Sequence, residues 1–262
     1  MAFFNIIIPT FNSQDTVKRA VETVERQTFK DYRLILVDDC STDNTPNINK
    51  ELAEKYPNIT ALFPSKKLFN GGVRNYGVQH AQDCQYFLFL DSDDEFLDDR
   101  LFQDLYNQIL IYRYPDMVRL PYEKIYDESG RKKLMMLRDE VGTVPTSLAN
   151  VACSKRVACW TKAVKRELFQ PFPENTLFED VVQHLLQCDV ITNVTWFSRP
   201  FVRWHIHSAS TSHNDSPKWR SSAWRFVADL MDLELKHDYC DKRRKQKMQS
   251  TKEGLLKGIA IQ

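Results

Sequence analysis

An unbroken apolar run that ends in acid constrains this chain more than any other feature. Tyr86-Phe87-Leu88-Phe89-Leu90 leads directly into Asp91-Ser92-Asp93-Asp94-Glu95, where four of five positions are carboxylates. The apolar half shows no alternation, so it reads as a strand covered on both faces, as in a parallel sheet flanked by helices. The acidic half then projects from the carboxyl edge of that sheet, where open α/β folds bind ligands. Carboxylates this close repel one another unless a positive group sits among them. On an extended chain Asp91 and Asp93 share one side, so both could reach one divalent ion or its bound ligand. Mg or Mn suits hard oxygen ligands completed by substrate phosphates. A solvated acidic turn capping the next helix is the alternative.

The flanking sequence repeats the same logic. Asn5-Ile6-Ile7-Ile8-Pro9 is an apolar strand followed by the loop Thr10–Ser13, and residues 15–28 carry a helical stripe at Val17, Ala20, Val21 and Val24. Arg33–Val37 is a second buried strand and also ends in carboxylates, Asp38 and Asp39. A helix from Pro46, a strand at Ile59–Phe63 and a helix after Asn70-Gly71-Gly72 complete the series before Tyr86. Strands and helices alternating at this spacing predict βαβ units and a mostly parallel, Rossmann-like sheet. No Gly-x-Gly-x-x-Gly follows the first strand and no Gly-x-x-x-x-Gly-Lys-Ser/Thr loop is present, which excludes the standard dinucleotide and P-loop signatures.

The second half is less regular. A helix over 99–110, a strand over 116–120, a hairpin over 122–137 turning at Glu128-Ser129-Gly130, a short basic helix near Lys165, a helix over 177–188 and strands over 191–196 and 201–205 are expected. A polar loop over 205–213, an amphipathic helix over 219–235 and a basic helical tail over 241–257 follow. The expected domains are residues 1–216, divided into a nucleotide-binding half (1–95) and an acceptor half (96–216), and a small helical extension over 217–262.

Net charge is +1, which argues against whole-molecule electrostatic binding of nucleic acid. The balance is uneven: residues 217–262 carry 11 Lys or Arg against 6 Asp or Glu, about +5, leaving the remainder at about −4. Six scattered cysteines without a Cys-x-x-Cys pair, and Met1–Asn5 running straight into a strand with no secretory signal, point to reduced thiols in a cytoplasmic setting. No apolar run approaches the ~18 residues needed to cross a bilayer, so membrane contact is expected to be peripheral, at the inner face.

In order along the chain, Ile7-Ile8-Pro9-Thr10-Phe11-Asn12, Gln27-Thr28-Phe29, Leu36-Val37-Asp38-Asp39-Cys40-Ser41-Thr42-Asp43, Gly72-Val73-Arg74-Asn75-Tyr76-Gly77, Leu90-Asp91-Ser92-Asp93-Asp94 and Phe178-Glu179-Asp180 together resemble the inverting glycosyltransferases of family 2, which have the GT-A fold. The resemblance covers roughly residues 4–213. It implies a nucleoside site built from Pro9, Thr10 and Phe11, with Asp39 accepting from the base or ribose. Core packing for Phe11 and a turn cap for Asp39 are the plainer alternatives. It implies donor contacts from Asp91 and Ser92. Arg74 would meet a phosphate or brace the acidic loop. Asp93 would ligate Mn2+ or Mg2+, with Asp94 orienting its neighbours. A histidine from the loop after the last strand would complete the metal site, His207 fitting better than His205. Asp180 would be the general base that takes the acceptor proton, with Glu179 beside it; a simple helix-start carboxylate is the alternative. Trp160 and Lys162 would flank the acceptor, Trp160 equally suiting a core position.

The function implied is metal-dependent inverting transfer of a sugar from a nucleotide-sugar donor, a UDP-sugar in first place, to a hydroxyl of a glycan or lipid-linked acceptor in polysaccharide biosynthesis. The same chemistry on modified bases of DNA, a nucleotidyltransferase, and a non-catalytic nucleotide-sugar or glycan-binding module are the rivals. The basic segment over 217–262 permits contact with membrane lipid, nucleic acid or a partner subunit.

Overall fold

The computed structural model describes residues 1–135, 158–174 and 179–207, together with Gln249 and Glu253. The expected alternation is present: β1 (Ala2–Thr10), α1 (Val17–Glu25), β2 (Tyr32–Asp38), α2 (Thr45–Lys55), β3 (Ile59–Leu62), α3 (Phe69–Gln79) and β4 (Cys84–Phe89). β1 is central and pairs in parallel with both β2 and β4, placing Ile7 opposite Ile35 on one side and Phe89 on the other. That position explains its largely apolar sequence, since Phe4, Ile6, Ile7 and Ile8 are all fully buried, with Asn5 the buried polar exception. Parallel pairing also brings Thr10, Asp38 and the residues after Phe89 to one edge of the sheet.

The remaining elements are α4 (Leu101–Ile111), β6 (Met117–Arg119), β9 (Lys162–Lys165), α5 (Glu179–Val190) and β10 (Val194–Trp196), together with four strands of a separate sheet. The seven-stranded sheet runs β10-β6-β9-β4-β1-β2-β3. β9 is antiparallel to both of its neighbours. It also corrects the expected short helix near Lys165: Lys162, Ala163 and Val164 are buried in the sheet, and only one 3-10 turn, Arg166–Leu168, follows. The local composition favours a helix, but two waiting strand edges outweigh so short a preference.

A second, four-stranded sheet has the order β5 (Glu95–Phe96), β11 (Val202–Ile206), β7 (Tyr122–Tyr126), β8 (Arg131–Met135). β7 and β8 form the expected hairpin, and Gly130 takes the left-handed conformation in its turn at φ 62°. The boundary near 216, the helix over 219–235 and the polar loop beyond His207 lie outside the described residues, as does the basic tail apart from Gln249 and Glu253. Among the described residues no helix is long and apolar enough to cross a membrane.

Helix α3 is seated more tightly on the sheet than a side chain at Gly77 would allow. A Cβ there would lie 2.7 Å from Ile7 Cγ2 and 3.1 Å from Val37 Cγ2. At Gly71 a Cβ would lie 2.2 Å from the Pro173 carbonyl oxygen. Asn75 completes the fastening: its amide nitrogen donates to the Phe172 carbonyl at 2.8 Å, and its oxygen accepts the Phe172 N–H at 2.9 Å. Gly77→Ala is therefore expected to destabilise the fold by about 1–3 kcal/mol through overpacking against β1 and β2, read as a lower midpoint in urea unfolding with an unchanged slope.

Candidate active site

The carboxyl edge of the large sheet divides its carboxylates between structure and site. Asp38 closes its own turn, accepting the Ser41 N–H at 3.0 Å. Thr10 is buried and its hydroxyl accepts from Asn49 of α2 at 2.9 Å, so it belongs to the same internal network. Asp39 accepts the backbone N–H groups of Leu68 and Phe69 at 2.6 and 3.0 Å, one on each oxygen, and so fixes the entry to α3. Phe11 is 46% exposed, which sets aside core packing, and the Lys67 ammonium lies 3.1 Å from its ring centroid. Pro9 is the half-buried penultimate residue of β1, and the Ser92 hydroxyl lies 2.7 Å from that of Ser13, tying the loops after β1 and β4 together.

The chain does not stay extended after Leu90. It turns, with the Asp94 N–H donating to the Asp91 carbonyl at 3.1 Å. The extended chain assumed for Asp91 and Asp93 is therefore not what forms: the chain turns and the two carboxylates engage different partners. Asp91 Oδ1 accepts from Arg74 Nη2 at 2.7 Å, while Arg74 Nη1 donates to Glu179 Oε1, also at 2.7 Å. Arg74 thus braces the acidic turn, and does so from a buried position between two carboxylates. Its guanidinium is held well above its ordinary pKa by these neighbours, against the opposing effect of burial. Burial pushes the Glu179 carboxyl up to about 7, and Arg74 pulls the other way.

Asp180, the next residue on α5, is half-buried and accepts the Val181 N–H on Oδ1 at 2.8 Å. Burial raises its pKa, and the Lys162 and Arg74 charges lower it. Lys162 is buried and brought down to about 8 by desolvation and by the Arg119 charge. Cys159, a residue the sequence did not single out, puts its Sγ 3.8 Å from Asp91 Oδ1, and burial pushes its thiol well above the usual range. No motif or spacing marked Cys159: it sits in a 3-10 turn, Cys159–Thr161, just before β9, and its contact with Asp91 is between residues 68 apart in sequence.

On the other side of the turn, Asp93 Oδ2 lies 3.0 Å from His207 Nε2. Its carboxyl is raised by burial and by Asp91. His205 is engaged elsewhere, with Nδ1 2.8 Å from Asp127 and Nε2 3.4 Å from Glu95. Asp94 is 1% exposed; Oδ1 accepts the His205 N–H at 2.9 Å, and Oδ2 has no partner among the described residues. Trp160 is 3% exposed and packs edge-on against Tyr122, with centroids 4.9 Å apart, so it is a core residue at the junction of the sheets. Among the described residues no group of three or more His, Cys, Asp or Glu side chains converges on one point. Asp93 and His207 nevertheless present one carboxylate oxygen and one imidazole nitrogen side by side. That donor pair fits a hard divalent ion whose other positions are taken by phosphate oxygens.

A mostly parallel sheet with an acidic turn at its carboxyl edge and a smaller sheet alongside defines the GT-A class. Staphylococcus aureus TarS 1-349 in complex with UDP-GlcNAc superimposes with a TM-score of 0.74 at 19% identity, over 97% of this chain and 72% of that one. The mannosyltransferase PcManGT from Pyrobaculum calidifontis, in complex with GDP-Man and Mn2+, gives 0.64 at 15% identity over 98% and 73%. Residues 5–167 match Glycosyl transferase family 2, and the chain belongs to that family. Among its relatives, the minor teichoic acid biosynthesis protein GgaA of Bacillus subtilis is 32% identical over 151 residues, 56% of this chain and 33% of that protein. The poly(ribitol-phosphate) beta-N-acetylglucosaminyltransferase TarP of Staphylococcus aureus is 38% identical over 109 residues, 39% of this chain and 32% of that protein. The chain thus spans about a third of the length of these two curated relatives.

Removing the Arg74 charge leaves Glu179 buried and Asp91 partly solvated without their shared cation. Arg74→Met is expected to cost about 3–5 kcal/mol in urea unfolding, most of it from the Glu179 side, because Asp91 is screened by solvent. Arg74→Lys should recover only part of this, since an ammonium cannot donate to two carboxylates in a fixed fork.

Proposed function

We propose that this protein is a metal-dependent inverting glycosyltransferase. It moves a sugar from a UDP-sugar to a hydroxyl of a glycan or lipid-linked acceptor in surface-polysaccharide assembly. One observation carries the reading: a single buried guanidinium holds the acidic turn through Asp91 and the start of α5 through Glu179, each at 2.7 Å. The candidate base, Asp180, is thereby fixed relative to the donor-side carboxylates, as direct displacement at one carbon requires. Family membership supports the chemistry, and the UDP-GlcNAc bound by TarS supports the donor class.

In this reading the exposed Phe11 ring packs on the base and Asp39 uses its remaining lone pairs for the nucleoside while holding the loop at Leu68. Asp91 and Ser92 line the donor, with Arg74 acting through Asp91. Asp93 and His207 would hold a Mn2+ or Mg2+ ion, which would supply positive charge to neutralise the leaving diphosphate. Asp94 and His205 set the backbone on which those ligands sit. Asp180 takes the proton from the acceptor hydroxyl as its oxygen bonds to the anomeric carbon, and the glycosidic electron pair leaves with the nucleoside diphosphate. The Val181 N–H on Oδ1 orients the carboxylate, and the Lys162 charge opposes the burial that raises its pKa.

Asp180→Asn is expected to lower transfer by about 10²–10⁴-fold while UDP-sugar affinity stays within twofold of wild type. Transfer at the wild-type rate in that variant would refute the assignment. The base must be unprotonated, so wild-type transfer should fall as pH drops through the raised Asp180 pKa, and the residual rate of the Asn variant should lack that limb. Separately, Mn2+ with UDP should raise the melting temperature of the wild type, and His207→Ala should lose most of the Mn2+-dependent part of that shift.

A further inference from the structure

Lys67 stands where a ligand of the Phe11 ring would have to go. Its ammonium lies 3.1 Å from the ring centroid, a distance reached only over the face of the ring. Among residues 1–95 the other lysine–ring pairs are looser: Lys50 stands 5.3 Å from Phe63 and Lys55 4.8 Å from Tyr56. A second ring, that of Phe69, lies 5.9 Å from the same ammonium. The centroids of Phe11 and Phe69 are therefore within about 9 Å of each other. A flat ring system sandwiched between two others needs roughly 7–8 Å. Both phenylalanines are about half exposed.

The segment that carries this arrangement is strained. Phe69 has φ 60°, a left-handed conformation that is rare for a bulky residue. Asp39 holds it there, accepting the N–H groups of Leu68 and Phe69 and so fixing the loop against the end of β2. Glycine would relieve the strain, yet an aromatic residue stands at this position with much of its surface in water. Lys67 has no carboxylate partner among the described residues, so the Phe11 ring and water are what hold its charge.

We infer that Lys67 is a specificity-determining residue of the donor site: it occupies the face of Phe11 on which the nucleotide base stacks, and on donor binding it leaves that face for the diphosphate. The inference rests on the reading of Phe11 as the base platform and adds what covers the platform before the donor arrives. A base and an ammonium cannot share one ring face, so stacking of the base removes the cation–π contact. A nucleoside gives the displaced ammonium no new partner. A nucleoside diphosphate does, one ribose away and within the swing of the flexible lysine stem. Arg74 is not available for this role, because its two terminal nitrogens are engaged by Asp91 and Glu179. Lys67 thus separates nucleotides from nucleosides by opposing the one and compensating the other.

The test titrates uridine and UDP, both with Mg2+, into the full-length wild type, K67A and K67R, followed by NMR, with the melting temperature of each variant as a check of folding. K67A is expected to bind uridine about two- to fivefold more tightly and UDP about two- to fivefold more weakly, from the size of exposed cation–π and ion-pair contacts. K67R keeps a cation that both stacks and pairs with phosphate, and should retain the wild-type preference for UDP. In the wild type the Lys67 side-chain protons should be shifted upfield by the Phe11 ring and should lose that shift when uridine or UDP saturates the site. Uridine bound no more tightly by K67A than by the wild type would overturn the inference, and a loss of UDP affinity alone would reduce Lys67 to a plain phosphate contact. F11A separates this failure from that of the reading beneath it. UDP bound by F11A as by the wild type sinks the base platform itself, whereas weaker UDP binding by F11A with unchanged uridine binding by K67A sinks only the role of Lys67.

Discussion

Much of the molecule is arranged around one buried guanidinium. Arg74 sits on α3, a helix whose close seating depends on Gly77 against Ile7 and Val37, and its two terminal nitrogens join Asp91 to Glu179, which lies 105 residues beyond Arg74 in sequence. Burying an arginine with two carboxylates is costly in solvation and is repaid only when the hydrogen bonds are well made. Here they are, at 2.7 Å each, with the Asn70 carbonyl accepting a further bond at 3.2 Å. The fork is thus weak evidence for stability and strong evidence for geometry. It fixes where the turn after β4 and the first residues of α5 stand relative to one another.

The same economy governs the acids. Asp38 and Asp39 terminate β2 next to each other, yet one closes a local turn and the other reaches across to the amides of Leu68 and Phe69. Glu95 is held down to about 2 by His205 and Arg203, and so is committed to binding β5 to β11. What remains for a ligand is a smaller set than the sequence suggests: Asp93 with His207, the exposed ring of Phe11, the unused lone pairs of Asp39, and Asp180. Each of these is positioned by a neighbour whose charge or hydrogen bond is already spent on the fold.

The sheet was legible because strands covered on both faces carry apolar runs, as Ile6–Ile8 of β1, Leu34–Val37 of β2 and Tyr86–Phe89 of β4 do. The edge on which Asp39, Asp91 and Asp93 gather followed from the parallel order alone. β9 was not legible, since Lys162–Lys165 has neither the length nor the composition of a strand and is one only because β4 and β6 offer it two edges. The small sheet was half legible: the hairpin has a local turn signal, but the pairing of Val202 with Phe96 links residues far apart in sequence. Side-chain alternation does not carry over to Asp91 and Asp93, because period two holds only while the chain is extended and this chain turns after Leu90. The same limit separates His205 from His207. β11 ends at Ile206, so the two histidines do not share partners: one faces Asp127 and Glu95 and the other Asp93.

The shifts across the site point one way. Asp93, Asp94, Glu179 and Asp180 are all raised, each first by burial and then by a neighbouring acid or against the pull of a neighbouring base. Arg74 and Lys162 are the buried cations that act on this group, and Arg74 is already shared between Asp91 and Glu179. A protein that needed only to fold would relieve such a cluster cheaply, by replacing an acid with its amide. Retaining it leaves a cluster of acids at the carboxyl edge of the sheet whose charge the neighbouring cations among the described residues offset only in part, since all four remain raised. A divalent cation would lower the cost of ionising Asp93 directly and that of the acids beside it through space. The imbalance is therefore the physical reason for reading this edge as a site that is completed by what it binds.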